Sequence, residues 1–323
     1  MLTVDNKKIC ELCFSEFPLF SDTCFQCDGK CLNDQKGQSE LAKGTILAGR
    51  YLVGKNINNS NIYFCYDLKT NRRLIVKEYY PRIIADRVEG ENTVVYRDPG
   101  GVPIPNNGID VFVNDAKTFY NIGRSPYFLN IYDLFYENNT AYCIMEYFNF
   151  NHVRPYYPEN EALYIMKFIM NAFEYLHNHR IVYKYFDSGS ILVDKESAGN
   201  IKLWCFPETS HTLGALHVWY YDLMPDFGGP PELLNPDGHI GPWTDIFSLG
   251  EVIYEMIAGR TPVDAPYRLD RNEDIDPTGI STEFYLILNK MLKPKHQDRY
   301  QNINELRRDI NLLKLKPKFP LFS

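Results

Sequence analysis

A chain of 323 residues, 45% hydrophobic and 23% charged, is long enough to bury a sizeable core, in one large two-lobed domain or two ordinary ones. The formal net charge of -7 excludes the strong basic balance that phosphate backbones require, so no nucleic-acid partner is expected. Five of the eight cysteines lie within the first 31 residues, whereas Cys65, Cys143 and Cys205 stand in apolar surroundings, the pattern of buried thiols in a reducing compartment.

The opening residues, MLTVDNKKIC, lack the apolar run of an export signal. The longest apolar-rich stretches, 162–173 and 246–259, are broken by charge and too short to span a bilayer. A cytoplasmic location with no membrane segment is the expectation. Next, Cys10 and Cys13 form one C-x-x-C pair, and Cys24 and Cys27 a second, with ten residues between the pairs. Each such turn aims two thiolates at one point, and two turns make a tetrahedral four-sulfur site suited to structural zinc. A disulfide staple, loose thiols or iron in place of zinc are the alternatives, and Cys31 is a spare ligand for Cys27. So small a segment cannot bury a core, so metal binding would supply most of its folding energy. Residues 1–33 are therefore read as a zinc-ribbon-like module, and the polar 34–43 as a linker.

From residue 44 to Pro81, apolar and polar residues alternate as in three strands, with turn signals at Asn58–Asn61 and Lys69–Arg73. In 110–123, Phe112, Ala116 and Phe119 share a helical face, with Asp110 as cap and Gly123 as stop. A hairpin turning at Glu137–Asn139 follows, giving five strands and one helix. Beyond Phe150 the period becomes helical. Leu163, Met166, Met170 and Phe173 repeat along one helix, and Ile246, Leu249, Ile253 and Met256 along another. Asn302 with Glu305 three residues on is a capping box. The fold class is α+β and bilobal: an N-lobe at 44–148, a helical C-lobe at 149–315 and a tail at 316–323.

This order of landmarks resembles the protein kinase fold, specifically bacterial Ser/Thr kinases of eukaryotic type, over residues 44 to 312. LIVKEYYP is similar to the V-A-I-K strand and puts Lys77 at its lysine, with Asp115 where the helix glutamate would pair with it. PPELL resembles the A-P-E element, and LKPKHQDRY the segment with the closing arginine. The resemblance makes Glu232 and Arg299 the pair that closes the large lobe and Asp245 the brace of the catalytic loop. Gly250 falls at the small position within the same central helix.

The catalytic loop itself, H-R-D-L-x-x-x-N in the family, reads YKYFDSGS here. Tyr185 stands at the acid, and a phenol of pKa about 10 accepts a proton poorly near neutral pH. Ser190 stands at the asparagine that holds the second magnesium, and Cys205-Phe206-Pro207 replaces D-F-G. A neutral thiol is too soft for a hard cation. Asp187 and Glu208 are the nearest other carboxylates, displaced by two or three residues and read as solvated charges. Asn58–Asn61 take the place of the Gly-rich loop, Ile75 that of the alanine that contacts adenine, and Trp204 adds bulk beside the D-F-G site. The resemblance thus implies a pseudokinase: a kinase-shaped binding, scaffolding or regulatory module with a protein partner, and with ATP and magnesium binding in doubt. The alternatives are a divergent Ser/Thr kinase using Lys77 and displaced acids, or a nucleotide switch without turnover.

Overall fold

The computed structural model describes residues 2–4, 7–10, 14–21, 24, 40–57, 61–82, 84–88, 90–97, 108–154, 156–195, 199–205, 229–235, 237–314 and 316. Two compact units share the chain: Met1–Arg124 with Leu129–Phe148, and Ser125–Phe128 with Asn149–Ser323.

The first unit opens with a three-stranded antiparallel ribbon, β1 (Leu2–Val4), β2 (Lys7–Ile9) and β3 (Glu16–Phe17). Next come β4 (Ile46–Leu47), β5 (Tyr51–Asn56), β6 (Ile62–Asp67), β7 (Arg72–Glu78), the small hairpin β8 (Ala85–Arg87) and β9 (Val94–Tyr96), and helix α1 (Gly108–Asn121). Strands β10 (Ile131–Glu137) and β11 (Thr140–Glu146) complete a sheet in the order β10-β11-β7-β6-β5-β4. The sheet is therefore six-stranded, not five-stranded. The extra strand arises because Ala48 (φ 49°) and Gly49 (φ 61°) both turn left-handed, folding the run from Gly44 to Lys55 back on itself as β4 and β5. Residues 85–96, which carried no strand expectation, form a hairpin of their own. The β10–β11 turn does fall at Asn138 (φ 53°) and Asn139 (φ 57°), a pair of left-handed residues that suits a two-residue hairpin. Helix α1 starts two residues before Asp110, which lies in its first turn.

One face of the sheet is a continuous core of Val53, Tyr63, Cys65, Leu74, Val76, Tyr142 and Ile144, closed by Leu41 and Leu47. The strand period of two sends Ile75 and Lys77 to the other face. There, Leu52 and Tyr66 pack against Ile9 and Phe14 of the ribbon.

The second unit begins with β12 (Phe150–His152) and the long helix α2 (Glu159–Asn178). Strands β13 (Ile191–Asp194) and β14 (Ile201–Leu203) pair with β12 in the order β12-β13-β14. Helices α3 (Pro242–Ala258), α4 (Ala265–Arg271), α5 (Thr282–Met291) and α6 (Ile303–Leu312) complete it. The apolar stripes read from sequence are buried: Leu163, Met166, Met170 and Phe173 on α2, and Ile246, Leu249, Ile253 and Met256 on α3. Helix α3 stops at Gly259 in the left-handed region (φ 67°), and Asn302 caps α6 by accepting from Glu305 N–H at 3.0 Å. Gly250 lets α3 approach α5, since a Cβ there would lie 3.0 Å from Met291 Cβ and 3.1 Å from Leu292 Cγ. Among the described residues no helix is long and apolar enough to cross a membrane.

Candidate functional site

The loop from Ile181 to Ser190 lies between α2 and β13, and its support comes from α3. Asp245, in the first turn of α3, has no solvent exposure. Its Oδ2 accepts from Tyr183 N–H at 2.9 Å and lies 2.8 Å from His177 Nε2, and its Oδ1 accepts from Lys184 N–H at 2.7 Å. A buried carboxylate is costly unless its lone pairs are filled, and here these donors fill them.

That grip fixes an unusual backbone. Lys184 has φ 75°, and Tyr185 N–H donates to Tyr183 C=O at 3.1 Å, closing a three-residue turn. A γ-turn centred at positive φ is the rarer and more strained hand for a non-glycine residue. Asp245 from one side and Ser248 Oγ, which donates to Lys184 C=O at 3.3 Å, hold it. Ser248 sits one turn after Asp245 on α3, so the same helix face supplies both. His177 and Ser248 were not singled out from sequence. The three-residue spacing of Asp245 and Ser248 is a signal that could have found Ser248.

The Tyr183 ring packs against Phe128, Phe173 and Phe186 at 5.8–6.4 Å. Its burial pushes the phenol well above its ordinary pKa, so it stays a donor, and its hydroxyl donates to Trp204 C=O at 3.1 Å. Trp204 N–H in turn donates to Ser190 C=O, and the indole meets Phe150 edge-on at 5.4 Å. The loop and the chain leading to Cys205 are thus one bonded unit. Within it Tyr185 is half-exposed, Ser190 is buried, and Cys205 is 1% exposed. Asp187 caps the short 3-10 turn Ser188–Ser190, and its Oδ1 accepts from both Ser190 N–H (2.8 Å) and Ser190 Oγ (2.7 Å). This carboxylate was read as a solvated charge; it is exposed, and it also serves as a structural cap.

Glu232 and Arg299 form a two-pronged ion pair, Nη1 to Oε1 at 2.8 Å and Nη2 to Oε2 at 3.0 Å. The remaining guanidinium donors reach Lys293 C=O and Pro294 C=O, and the Phe247 ring lies 4.4 Å beneath. Thr244 Oγ1 donates to Glu232 Oε1 at 2.9 Å, so the pair is anchored one residue before Asp245. Gly238 is obligatory beside it, because a Cβ there would stand 1.9 Å from Glu232 C=O.

In the sheet unit Lys77 is buried on β7, and Asp115 is half-buried on α1. Ile75 pairs across the sheet with Phe64 and with Met145. Cys10 follows β2 and Cys24 is also buried, whereas Cys13, Cys27 and Cys31 lie outside the described residues. So do Asn58–Ser60 of the expected phosphate loop, Phe206–Pro207, Glu208, the segment through Gly228, and the tail from 317. Among the described residues no cluster of three or more histidine, cysteine or acidic side chains is arranged to hold a metal.

Comparison with known proteins matches the protein kinase domain family over residues 107–309, well over half of the chain. The chain belongs to that family. It is 25% identical over 245 residues to the serine/threonine-protein kinase PrkC of Bacillus subtilis, covering 68% of this chain and 32% of that protein. It is 31% identical over 159 residues to the developmentally-regulated protein kinase 1 of Dictyostelium discoideum, covering 46% of this chain and 21% of the relative. The match thus spans a third or less of these relatives' own length. Among solved structures, the PpkA-294 apo form superposes with a TM-score of 0.65 at 19% identity, covering 84% of this chain and 99% of the other. The kinase domain of Mycobacterium tuberculosis PknI gives 0.59 at 16%, covering 84% and 98%. These structural likenesses concern the fold, which has a sheet-rich and a helical lobe.

Proposed function

We propose that this chain is a pseudokinase: a kinase-fold module that binds and regulates a protein partner in the cytoplasm without transferring phosphate. The observation that carries this reading is the chemistry mounted on the Asp245-held loop. Tyr185, Ser190 and Cys205 occupy the family positions of a proton acceptor and two magnesium ligands, and loss of one such group costs orders of magnitude in rate. Asp187, the nearest substitute acid, is engaged by Ser190. Lys77 and Asp115 would then serve as a remnant of the nucleotide site, and Glu232, Asp245 and Arg299 as anchors of the frame. The domain boundaries that accompany this reading are the ribbon at 1–33, the linker at 34–43, the kinase-like domain at 44–315 and the tail at 316–323.

A structural zinc held by Cys10, Cys13, Cys24 and Cys27 is part of the same proposal. Cys10 begins a tight turn, its N–H donating to Ser15 C=O at 3.1 Å while its own C=O accepts from Phe14 N–H at 2.8 Å. Lys8 Nζ donates to Ser21 C=O at 2.9 Å, tying the strand before Cys10 to the segment leading to Cys24. Four protein thiolates leave no open position, so the ion would contribute folding energy rather than chemistry.

A second reading, a divergent Ser/Thr kinase, draws on Lys77, which is buried on β7, and on relatives named as kinases. Thermal shift with ATP, with and without magnesium, separates them on binding, because a ligand of the native state must raise the melting temperature. No magnesium-dependent shift is expected. A clear one would overturn the proposal that the magnesium site is lost.

A further inference from the structure

The β8–β9 hairpin is too short to hold its own shape. A lone two-stranded hairpin is marginal in water, and these strands have three residues each. Its order comes from its neighbours in the sheet unit. Val94 N–H donates to Asn138 C=O at 2.8 Å, and Asn139 Nδ2 donates to Val94 C=O at 2.8 Å, tying β9 to the β10–β11 turn. Asn92 Nδ2 donates to Thr45 Oγ1 at 3.0 Å, and Asn92 Oδ1 accepts from Ala42 N–H at 3.3 Å, just before β4. Arg87 pairs with Glu78 at the end of β7. Ala85 and Val94 join Tyr80 in one buried cluster, with Tyr96 packed against it.

A further contact runs from the hairpin to a helix. The Tyr96 ring lies 6.2 Å from the Tyr79 ring, and the Tyr79 ring lies 5.8 Å from the Phe112 ring of α1. Tyr79 is fixed at its backbone: its N–H donates to Ala141 C=O at 2.9 Å, and its C=O accepts from Thr140 Oγ1. Its ring therefore stands between hairpin and helix, with Phe112 fully buried on the far side. Asp115 lies three residues after Phe112, its neighbour along the helix surface.

We infer that the β8–β9 hairpin is an internal brace for α1: the Tyr96 ring backs the Tyr79 ring, which seats Phe112 and with it the first half of the helix. The physical chain is short. Without the Tyr96 ring, Tyr79 loses its contact on one side, regains rotamer freedom and no longer confines Phe112. A 14-residue helix owes its order to the packing of its buried face, so loosening at Phe112 opens α1 locally. The coupling is reciprocal: a ligand that steadies the hairpin steadies α1, and one that displaces it frees the helix that carries Asp115. The brace acts within the sheet unit and is the same whether or not the chain transfers phosphate.

Hydrogen exchange on the full chain tests this, comparing the parent with variants at Tyr96. In Tyr96→Ala, peptides covering 108–121 should exchange roughly tenfold faster, while those covering β5 and β6 keep the parent rate. Tyr96→Leu keeps an apolar side chain in case Tyr96→Ala fails to fold, and should speed the same helix roughly threefold. Tyr96→Phe keeps the ring and should keep the parent rate in α1. Faster exchange confined to residues 84–97, with α1 unchanged, overturns the brace. Equal acceleration in β5 and β6 overturns it too, because the variant has then loosened the whole sheet unit. A Tyr96→Phe protein with α1 as fast as in Tyr96→Ala overturns the relay of rings from Tyr96 to Phe112.

Discussion

The two units of this protein each bury a carboxylate–guanidinium pair, and the pairs differ in what they join. In the helical unit Glu232, on a short turn, meets Arg299 from the segment before α6. In the sheet unit Glu78, next to Lys77, meets Arg87 from the β8–β9 hairpin, with neither side chain more than 2% exposed. Tyr142 hydroxyl donates to Glu78 Oε1 at 3.0 Å, Arg87 Nη1 donates to Asn92 C=O at 2.7 Å, and the guanidinium lies over the Tyr80 ring at 4.9 Å. Burial holds the Glu78 carboxyl above its ordinary range, against the pull of the adjacent Arg87. The same chemistry thus ties Pro231–Leu234 to Arg299 in one unit and the β8–β9 hairpin to β7 in the other. The helical unit is built from long helices, whereas the sheet unit also carries a hairpin and a docked ribbon.

The largest effects should come from breaking either pair. Arg299→Ala and Arg87→Ala each leave a buried carboxylate uncompensated, and each should cost about 3–5 kcal/mol in urea unfolding. The comparison sharpens with the double change Glu78→Leu with Arg87→Met, expected to return stability to within about 1 kcal/mol of the parent, because the apolar replacement removes the desolvation cost. An Arg87→Ala protein as stable as the parent would show that the hairpin pair is dispensable and the comparison false.

Next in size is the close approach of α3 and α5. Gly250→Ala should cost about 1–3 kcal/mol by overpacking against Met291 and Leu292, read as a lower urea midpoint with an unchanged slope. A pH dependence should follow from Glu251 on α3, which burial pushes up to about 8 although Arg268 and Arg299 pull the other way. Its folded pKa lies above the unfolded value of 4.5, so the native state binds the proton more tightly. Its contribution is full at low pH and is lost as pH rises from about 4.5 to about 8, at no more than about 1.4 kcal/mol per pH unit. The side chain keeps some solvent exposure, which reduces the loss. Glu251→Gln should flatten the stability curve between pH 5 and 8, and an unchanged slope would assign the dependence elsewhere. Smallest is the α6 cap, where Asn302→Ala should lower the melting transition by an amount equivalent to about 1 kcal/mol.

The helical unit was the more legible from sequence, for a physical reason. Its long helices show their buried stripe in the residue period, whereas Glu232, Asp245 and Arg299 were singled out through the resemblance to the kinase pattern. The sheet unit hides more. Ile9 and Phe14 are apolar and so expected inside, but nothing in their spacing says that Leu52 and Tyr66 are what they meet. Arg87 has no periodic neighbours, so its pairing with Glu78 depends on a tertiary fold that local pattern does not encode. Ala48 in a left-handed turn defeats the reading of one continuous strand, because alanine gives no turn signal. In the loop, Tyr185, Ser190 and Cys205 could be singled out from sequence, whereas the hold of Asp245 and Ser248 on the strained Lys184, and of His177 on Asp245, needed three dimensions.

The central claim is that this frame no longer carries phosphoryl-transfer chemistry. Turnover of labelled ATP by the purified full chain, with magnesium and with manganese, beside a Lys77→Ala control, tests it most directly. The account predicts no phosphate release and no labelled protein above the level of the control. Turnover that disappears in Lys77→Ala would contradict it and establish an active, divergent kinase.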